Sequence, residues 1–210
     1  MDLHLLRLAL SHFMGQQLTP ELASRVEFIA CGGEDLSPDP AQFAPLVLGE
    51  HLVQVERMAD TLDELHALHV EHWQETEKHR HGLALAPDYP AMLAMERAGR
   101  VMQFTARALA DGSMVGQCRM YLSTSLHTRT LFAQEDTLYL RPAHRGGFLA
   151  VHLLRYVERV LVDAIGVREI RADSKLVNNA SVLMRRLGYT PTAQQFVKVF
   201  PLKSEARNVL

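Results

Sequence analysis

The chain has 210 residues, 48% of them hydrophobic, and a formal net charge of -2. This length can bury one sizeable core, and the nearly balanced charge argues against nucleic acid or an anionic membrane as a partner of the whole surface. Two cysteines, Cys31 and Cys118, are too few for a disulfide framework or a zinc-ligand cluster. Since no apolar run reaches the roughly 18 residues of a membrane span, we expect a cytoplasmic protein.

The first 30 residues predict two helices. Residues 3–13 are rich in leucine, and Thr19 followed by Pro20 is typical of a helix cap with proline at the first helical position. Glycines and prolines in residues 32–40 indicate a loop. We therefore assign residues 1–48 to a helical N-terminal extension, whose leucines would pack on the main domain or on a second subunit, as in a homodimer.

The remaining sequence predicts a mixed α/β domain at residues 49–203 and a C-terminal tail at residues 204–210. Its apolar periodicities and its glycine and proline breaks set the elements. In chain order these are a strand at 50–58, helices from 60 to about 78 and at 89–98, strands at 101–109, 114–122 and 131–140, a helix at 148–165, a strand at 167–172, a helix at 179–187 and a strand at 196–200.

The junction of the strand at 131–140 with the following helix predicts an anion site. Arg145, Gly146 and Gly147 form a basic turn, and the apolar residues Leu149 and Leu153 begin a helical repeat after it. A helix N-terminus carries unpaired N–H groups and the positive end of the helix dipole, and glycines let an anion approach them closely. An ordinary structural turn with two glycines is the alternative interpretation.

This junction resembles the phosphate-binding motif of the GNAT superfamily of N-acetyltransferases, an Arg/Gln-x-x-Gly-x-Gly/Ala loop that binds the pyrophosphate of acetyl-CoA. Arg145 and Ala150 lie on the pattern, whereas Phe148 stands where the family usually has its middle glycine. Backbone approach would then shift to Gly147. Phage and prophage members of the family resemble this chain in a set of short motifs that occur in the same order. These motifs are His72-Trp73, Asp111-Gly112, Leu126-His127, Asp136-x-Leu138-Tyr139 and Arg145-x-Gly147.

The resemblance covers roughly residues 53–200 and implies a mixed, mostly antiparallel central sheet flanked by helices. It also implies acetyl-CoA as co-substrate, transfer of the acetyl group to an amine of unknown identity, and no metal. Asn179 would contact the cofactor or cap a helix. The other implied cofactor-binding residues are Leu138, Tyr139 and Leu140, through their backbone groups beside the pantetheine, and His144, Arg145, Gly146, Gly147, Phe148, Leu149 and Ala150 around the phosphates.

Acetyl transfer to an amine requires removal of a proton from that amine. By its register with family members, Asp136 stands where the base is proposed, and Glu135 precedes it. Neighbouring strand residues face opposite sides, so only one of these carboxylates can face a shared cleft. A structural carboxylate, or a base that acts through water, is the alternative. Met184 replaces the usual tyrosine acid, so Ser181 or water would serve, or the thiolate would leave unprotonated.

Three histidines, His66, His69 and His72, recur every third residue of one predicted helix. A metal site is one interpretation, but steps of three drift around a helix and no cysteine or clear carboxylate completes a ligand set. By the resemblance, His72 and Trp73 would border the acceptor cleft, although Trp73 could equally be a core residue. His127 would line the same cleft or lie in a surface turn.

Three functions are consistent with the sequence. An acetyl-CoA-dependent N-acetyltransferase is the first, and the second is a catalytically degenerate fold that serves as a binding or assembly module, which Met184 and Phe148 allow. The third is an acyltransferase that uses a longer acyl donor. Basic residues such as Arg141 and Arg186 are too dispersed to predict nucleic-acid binding, and a local role at the 3′-phosphate of the cofactor is more economical.

Overall fold

One six-stranded sheet forms the centre of the protein. A computed structural model describes residues 3–30, 35–77, 84–175, 180–194 and 198. Within these ranges the strand order is β1-β2-β3-β4-β5-β6, antiparallel except for the parallel pair β5 and β6. The strands are β1 Leu46–Leu48, β2 His51–Glu56, β3 Val101–Ala108, β4 Met114–Thr124, β5 Leu131–Leu140 and β6 Glu169–Arg171.

Helices cover both faces of this sheet. The helices of the described residues are α1 Leu3–His12, α2 Pro20–Ala30, α3 Met58–His72, α4 Tyr89–Arg97, α5 Leu149–Arg159 and α6 Ala180–Arg186. A wider turn, here called the π turn, continues α3 over Trp73–Glu77. Helices α3 and α4 pack on one face of the sheet and α5 on the other. The predicted mixed, mostly antiparallel fold with flanking helices is confirmed.

Two apolar clusters hold these layers together. Leu149, Leu153, Val157 and Leu161 recur at helical spacing on α5 and its continuation, and all are buried against the sheet. On the opposite face, α3 packs Leu65 onto the sheet in a smaller cluster. Its other members are Met58, Leu68, Val101, Met114 and Tyr139.

Several element boundaries differ from the sequence prediction. The strand predicted at 50–58 ends at Glu56, because Arg57 is the N-cap of α3 and the Glu96 carboxylate accepts the Met58 N–H at 2.7 Å. β1 was not predicted, and the strand predicted at 167–172 shortens to β6. Asn179 lies outside the described residues, as does the strand predicted at 196–200 except for residue 198.

The N-terminal helices form a third small cluster, in which Ala9, Phe13, Val26 and Ile29 are buried. The Thr19 hydroxyl caps α2 by accepting the Leu22 N–H at 3.2 Å, as predicted. The extension is joined to α4 where the Leu36 N–H donates to the Arg97 carbonyl at 2.6 Å. Phe43 and β1 already belong to the main core and sheet, whereas the domain boundaries at 48/49 and 203/204 stay predictions.

No helix among the described residues combines the length and the apolar character needed to cross a bilayer.

Candidate active site

β5 and β6 pair over only three residues each and then separate. The register runs from Phe132 opposite Glu169 to Gln134 opposite Arg171. Beyond that point β4 continues to pair with one edge of β5, and no described strand pairs with its other edge at 138–140. We call this open edge, where the family resemblance predicts the cofactor arm, the cofactor slot. Backbone N–H and C=O groups along such an edge are available to a ligand that adds like a strand.

A β-bulge in β5 lies at two neighbouring carboxylates, which contact different sides of the sheet. Arg119 pairs with Thr137 and Met120 with Glu135, so that Asp136 is the extra residue. The Asp136 carboxylate contacts Arg119 on the α3 side, whereas Glu135 accepts the Asp173 N–H at 3.1 Å beyond the end of β6. Burial raises the pKa of Glu135 to about 7.

Arg119 is a buried cation at this bulge. Its side chain is 4% exposed, and its Nε and Nη2 each lie 2.7 Å from Asp136 Oδ2. Thr137 donates its hydroxyl to the same oxygen at 3.1 Å. A buried charge is tolerated when it is paired and hydrogen bonded, so Asp136 is the counter-ion that keeps Arg119 within the fold. These contacts hold the carboxylate two residues before the cofactor slot on the same strand.

A chain of polar contacts runs from Arg119 to the surface of α3. Arg119 Nη1 lies 3.2 Å from His69 Nε2, and His69 Nδ1 and His66 Nδ1 each lie 3.0 Å from the Tyr89 hydroxyl. Because a guanidinium only donates, His69 Nε2 must accept and its Nδ1 carries the proton. Burial, and then the charge of Arg119, lower the pKa of His69 to about 4, so this ring is neutral at physiological pH.

Tyrosines rather than residue 184 supply hydroxyl groups around this cluster. Met184 is buried in the apolar cluster on the α5 side, and Ser181 is exposed on α6. Burial raises the pKa of Tyr89, Tyr121 and Tyr139, so all three phenols remain protonated at neutral pH. A protonated phenol can donate a hydrogen bond or a proton to a departing thiolate.

The loop of residues 145–148, here called the glycine loop, connects β5 to α5 and is open to solvent. Gly146 has a φ of 95°, in the left-handed region that favours glycine, and a Cβ added at Gly146 or Gly147 would meet nothing within 4 Å. Phe148 is the N-cap of α5, makes no side-chain cap and is 75% exposed. The first N–H groups of α5 therefore face an accessible space.

A cavity of about 510 Å³ lies between the glycine loop and the β1–β2 turn. It is lined by His144, Gly147, Leu149 and His152 on one side and by His51 on the other. His51 Nε2 and His144 Nδ1 are 2.9 Å apart. The cavity thus joins the start of α5 to the opposite edge of the sheet.

Arg145 also lines this cavity, and its guanidinium is bound to the π turn. Its Nε donates to the Leu140 carbonyl at 2.7 Å, and its two terminal nitrogens lie 2.7 and 2.8 Å from the two Glu75 carboxylate oxygens. The guanidinium carbon also lies 5.2 Å from the centre of the Tyr139 ring. Hydrogen bonds from Arg145 lower the pKa of Glu75, which is therefore ionised at neutral pH.

The predicted acceptor residues fall in two places. The His72 ring centre is 5.2 Å from that of Tyr139, and half-buried Trp73 begins the π turn directly after it. His127 is exposed in the β4–β5 turn, where its backbone N–H donates to the Ser125 hydroxyl. That turn lies one strand length, about 30 Å, from the glycine loop. The structure thus places His72 beside β5, with Trp73 next to it in the chain, and His127 at the far end of the sheet.

Sequence reasoning missed Arg119, Tyr89 and Glu75 as members of this site. The alternation of Gln117, Arg119 and Tyr121 with apolar residues along β4 was a usable signal, because it places three polar side chains on one face. The pairing of Arg145 with Glu75 joins residues 70 positions apart, so no local sequence pattern predicts it.

Among the described residues no group of three or more side chains could hold a metal ion.

The acetyltransferase (GNAT) family model matches residues 62–189. Among similar solved structures, a ribosomal-protein-alanine N-acetyltransferase from Brucella melitensis biovar Abortus 2308 has 17% identity and a TM-score of 0.56, covering 72% of this chain and 99% of its own. An aminoglycoside acetyltransferase from an uncultured soil metagenomic sample has 12% identity and a TM-score of 0.56, with coverages of 73% and 96%.

Glucosamine-6-phosphate N-acetyltransferase from Arabidopsis thaliana has 11% identity and a TM-score of 0.53, covering 72% of this chain and 99% of its own. At such identities the likeness is one of fold. No curated protein matches the sequence.

Proposed function

The chain belongs to the acetyltransferase (GNAT) family of enzymes, and we propose that it transfers the acetyl group of acetyl-CoA to an amine. The observation that carries this proposal is the cofactor slot, an open strand edge that leads into the glycine loop and the N-terminus of α5. A thioester with a peptide-like arm and a diphosphate needs an edge and an anion site in this order.

In the proposed complex the pantetheine arm bonds to the backbone of Leu138, Tyr139 and Leu140. Its diphosphate lies on the N–H groups of the glycine loop and of Leu149 and Ala150, because these are the first donors of α5 and no side chain caps them. His144 lines the adjoining cavity. Asn179, by the family pattern, would contact the same arm.

The acceptor amine is proposed to approach from the α3 side, where Asp136 and the tyrosines lie. The amine nitrogen attacks the thioester carbonyl carbon, its proton passes to Asp136 directly or through a water, and the C–S bond breaks. Tyr121 or Tyr139 then supplies a proton to the departing thiolate. Arg119 holds the carboxylate in place, and Glu135 on the opposite side is the alternative base, since its pKa of about 7 suits proton transfer at neutral pH.

His72 and Trp73 are proposed as the wall of the acceptor site, since His72 ends α3 against the Tyr139 ring and Trp73 follows it. His127 would serve only an acceptor long enough to reach the β4–β5 turn, such as a protein amine. A small amine would contact the α3 side alone.

We also propose a cytoplasmic location. From the short motifs that it shares in the same order, we propose that the chain belongs to the phage and prophage branch of the family.

Calorimetry with acetyl-CoA, pantetheine and inorganic pyrophosphate tests the cofactor assignment. We expect acetyl-CoA to bind more tightly than either fragment, and thiol release with a panel of amines to identify the acceptor class. A folded protein that binds no acetyl-CoA would exclude the enzyme assignment. Binding without thiol release for any amine would favour the binding or assembly module, for which the buried Met184 is the supporting observation. Acyl-CoA donors of graded chain length test the third function.

A further inference from the structure

Two ion pairs connect the end of α3 to the glycine loop region. Glu71, in the last turn of α3, lies 2.9 Å from Arg141, and Glu75, in the π turn, lies 2.7 Å from Arg145. The two glutamates are four residues apart in the chain, and so are the two arginines. We call the Glu71–Arg141 pair the first rung and the Glu75–Arg145 pair the second rung. Only the second rung involves a residue of the glycine loop.

Glu75 occupies Arg145 in the way a phosphate would. Both carboxylate oxygens accept hydrogen bonds from the two terminal nitrogens of the guanidinium, which is the fork geometry that arginine also offers to phosphate oxygens. The remaining contacts of Arg145, to the Leu140 carbonyl and the Tyr139 ring, leave its charge uncompensated. Glu75 is therefore the group that neutralises the cation nearest the proposed diphosphate site.

The segment that carries Glu75 also carries the predicted acceptor wall. The π turn at Trp73–Glu77 is one of two such turns in the described residues, and wide turns of this kind often occur at functional positions. Trp73 begins it, and His72 before it lies against Tyr139. A change in the partner of Glu75 would thus alter the position of Trp73, which lies two residues away in the same turn.

We propose that Glu75 competes with the cofactor diphosphate for Arg145, and that its displacement frees the π turn, so that the acceptor wall at Trp73 responds to cofactor binding. This inference rests on the proposed function, because it takes the glycine loop as the diphosphate site. Glu75 acts here as a positioning residue, since its effect on the reaction passes through Arg145 and Trp73.

Matched charge removals in the two rungs test the proposal. Glu75→Gln should tighten coenzyme A binding in calorimetry roughly fivefold, because it removes the competing charge from a partly exposed pair. Glu71→Gln, one rung away, should change the affinity less than twofold. Glu75→Ala should tighten binding as well, which separates the effect from any new contact of the glutamine.

Trp73 is the only tryptophan of the sequence, so its fluorescence reports on the π turn. We expect coenzyme A to shift the emission of the wild-type protein, and free Glu75→Gln to emit like the wild-type complex. Unchanged or weaker binding in both Glu75 variants would overturn the proposal, and so would an equal gain in Glu71→Gln. A folded wild type that binds no coenzyme A would instead reject the proposed function, and this inference with it.

Discussion

The two faces of β4 bury different kinds of side chain. On the face covered by α5, Cys118, Met120 and Leu122 belong to the large apolar cluster. On the face covered by α3, Gln117 and Arg119 are just as buried, at 0% and 4% exposure. Strand alternation separates the two sets, so one strand supplies both an apolar core and a polar floor.

This difference shows where the fold tolerates polar burial. An apolar face needs only packing, whereas every buried polar group must find a partner or destabilise the protein. On the α3 face Arg119 meets that requirement through its contacts to Asp136 and His69. The groups proposed to handle protons lie on this same face, which the following predictions compare with the other.

The largest expected effect is on the rate of acetyl transfer. Asp136→Asn should lower this rate about 100-fold in the folded protein with coenzyme A affinity unchanged, because the amide cannot take up the proton of the amine. It should also lower the free energy of unfolding, because Arg119 loses its counter-ion. Thiol release under steady state and calorimetry measure the two quantities. Glu135→Gln is the control on the other face and should change the rate less than about threefold. The reverse pattern would move the base to the α5 side.

An added methyl group should destabilise the protein at one of two glycines beside the cofactor slot and leave its stability nearly unchanged at the other. In Gly116→Ala the new Cβ would collide with the Leu140 side chain and lie 3.0 Å from the Tyr139 carbonyl oxygen, so we expect a loss of about 2 kcal/mol in the free energy of unfolding. In Gly147→Ala the Cβ meets nothing, and the free energy of unfolding should change by less than about 0.5 kcal/mol.

The same Gly147→Ala variant should bind coenzyme A roughly tenfold more weakly, since the methyl group fills the space through which a phosphate reaches the backbone. Denaturant unfolding and calorimetry separate the two losses. An unchanged affinity would show that the glycine loop is an ordinary turn.

The two faces should contribute to stability with opposite dependence on pH. Glu135 titrates at about 7 in the fold against 4.5 ordinarily, so its contribution is present below pH 4.5 and is lost as the pH rises through 7. His69 titrates at about 4 against 6.5, so its contribution is present above pH 6.5 and is lost as the pH falls through 4. Between pH 4.5 and 6.5 the two trends oppose each other.

Single variants should reveal each trend in unfolding measured across this pH window. Relative to wild type, Glu135→Gln should become more stable by about 1–2 kcal/mol from pH 4.5 to 6.5, and His69→Gln less stable by a similar amount. Parallel pH curves for wild type and variant would show that the residue titrates alike in the folded and unfolded states.

The smallest effect is expected from the buried amides of the α3 face. Gln103 donates to Gln117 at 3.3 Å, while Gln103 Oε1 and Gln117 Nε2 have no hydrogen-bond partner among the described residues. Gln117→Leu removes one unpaired donor together with one hydrogen bond, so the free energy of unfolding should change by less than about 1 kcal/mol. A loss above about 2 kcal/mol would show that the amide is essential to this face.

The sequence was most informative where the signal is local. The strand at 131–140 was predicted with its observed bounds, and the turn at Asp111 and Gly112 forms as expected, because alternation and glycine punctuation act within a few residues. The contacts that build the site are not local. Asp136 and Thr137 both reach Arg119 because a bulge inserts one residue in β5, and strand periodicity cannot reveal a bulge.

The short parallel contact between β5 and β6 bears on the order of folding. β1 to β5 pair with their sequence neighbours, although the longer connection through α3 and α4 separates β2 from β3. β6 can pair with β5 only after α5 has crossed the sheet. The entropy lost in closing that loop is then offset by only three residue pairs. Since distant contacts form slowly, we expect the antiparallel meander to assemble first and the cofactor slot to be completed last.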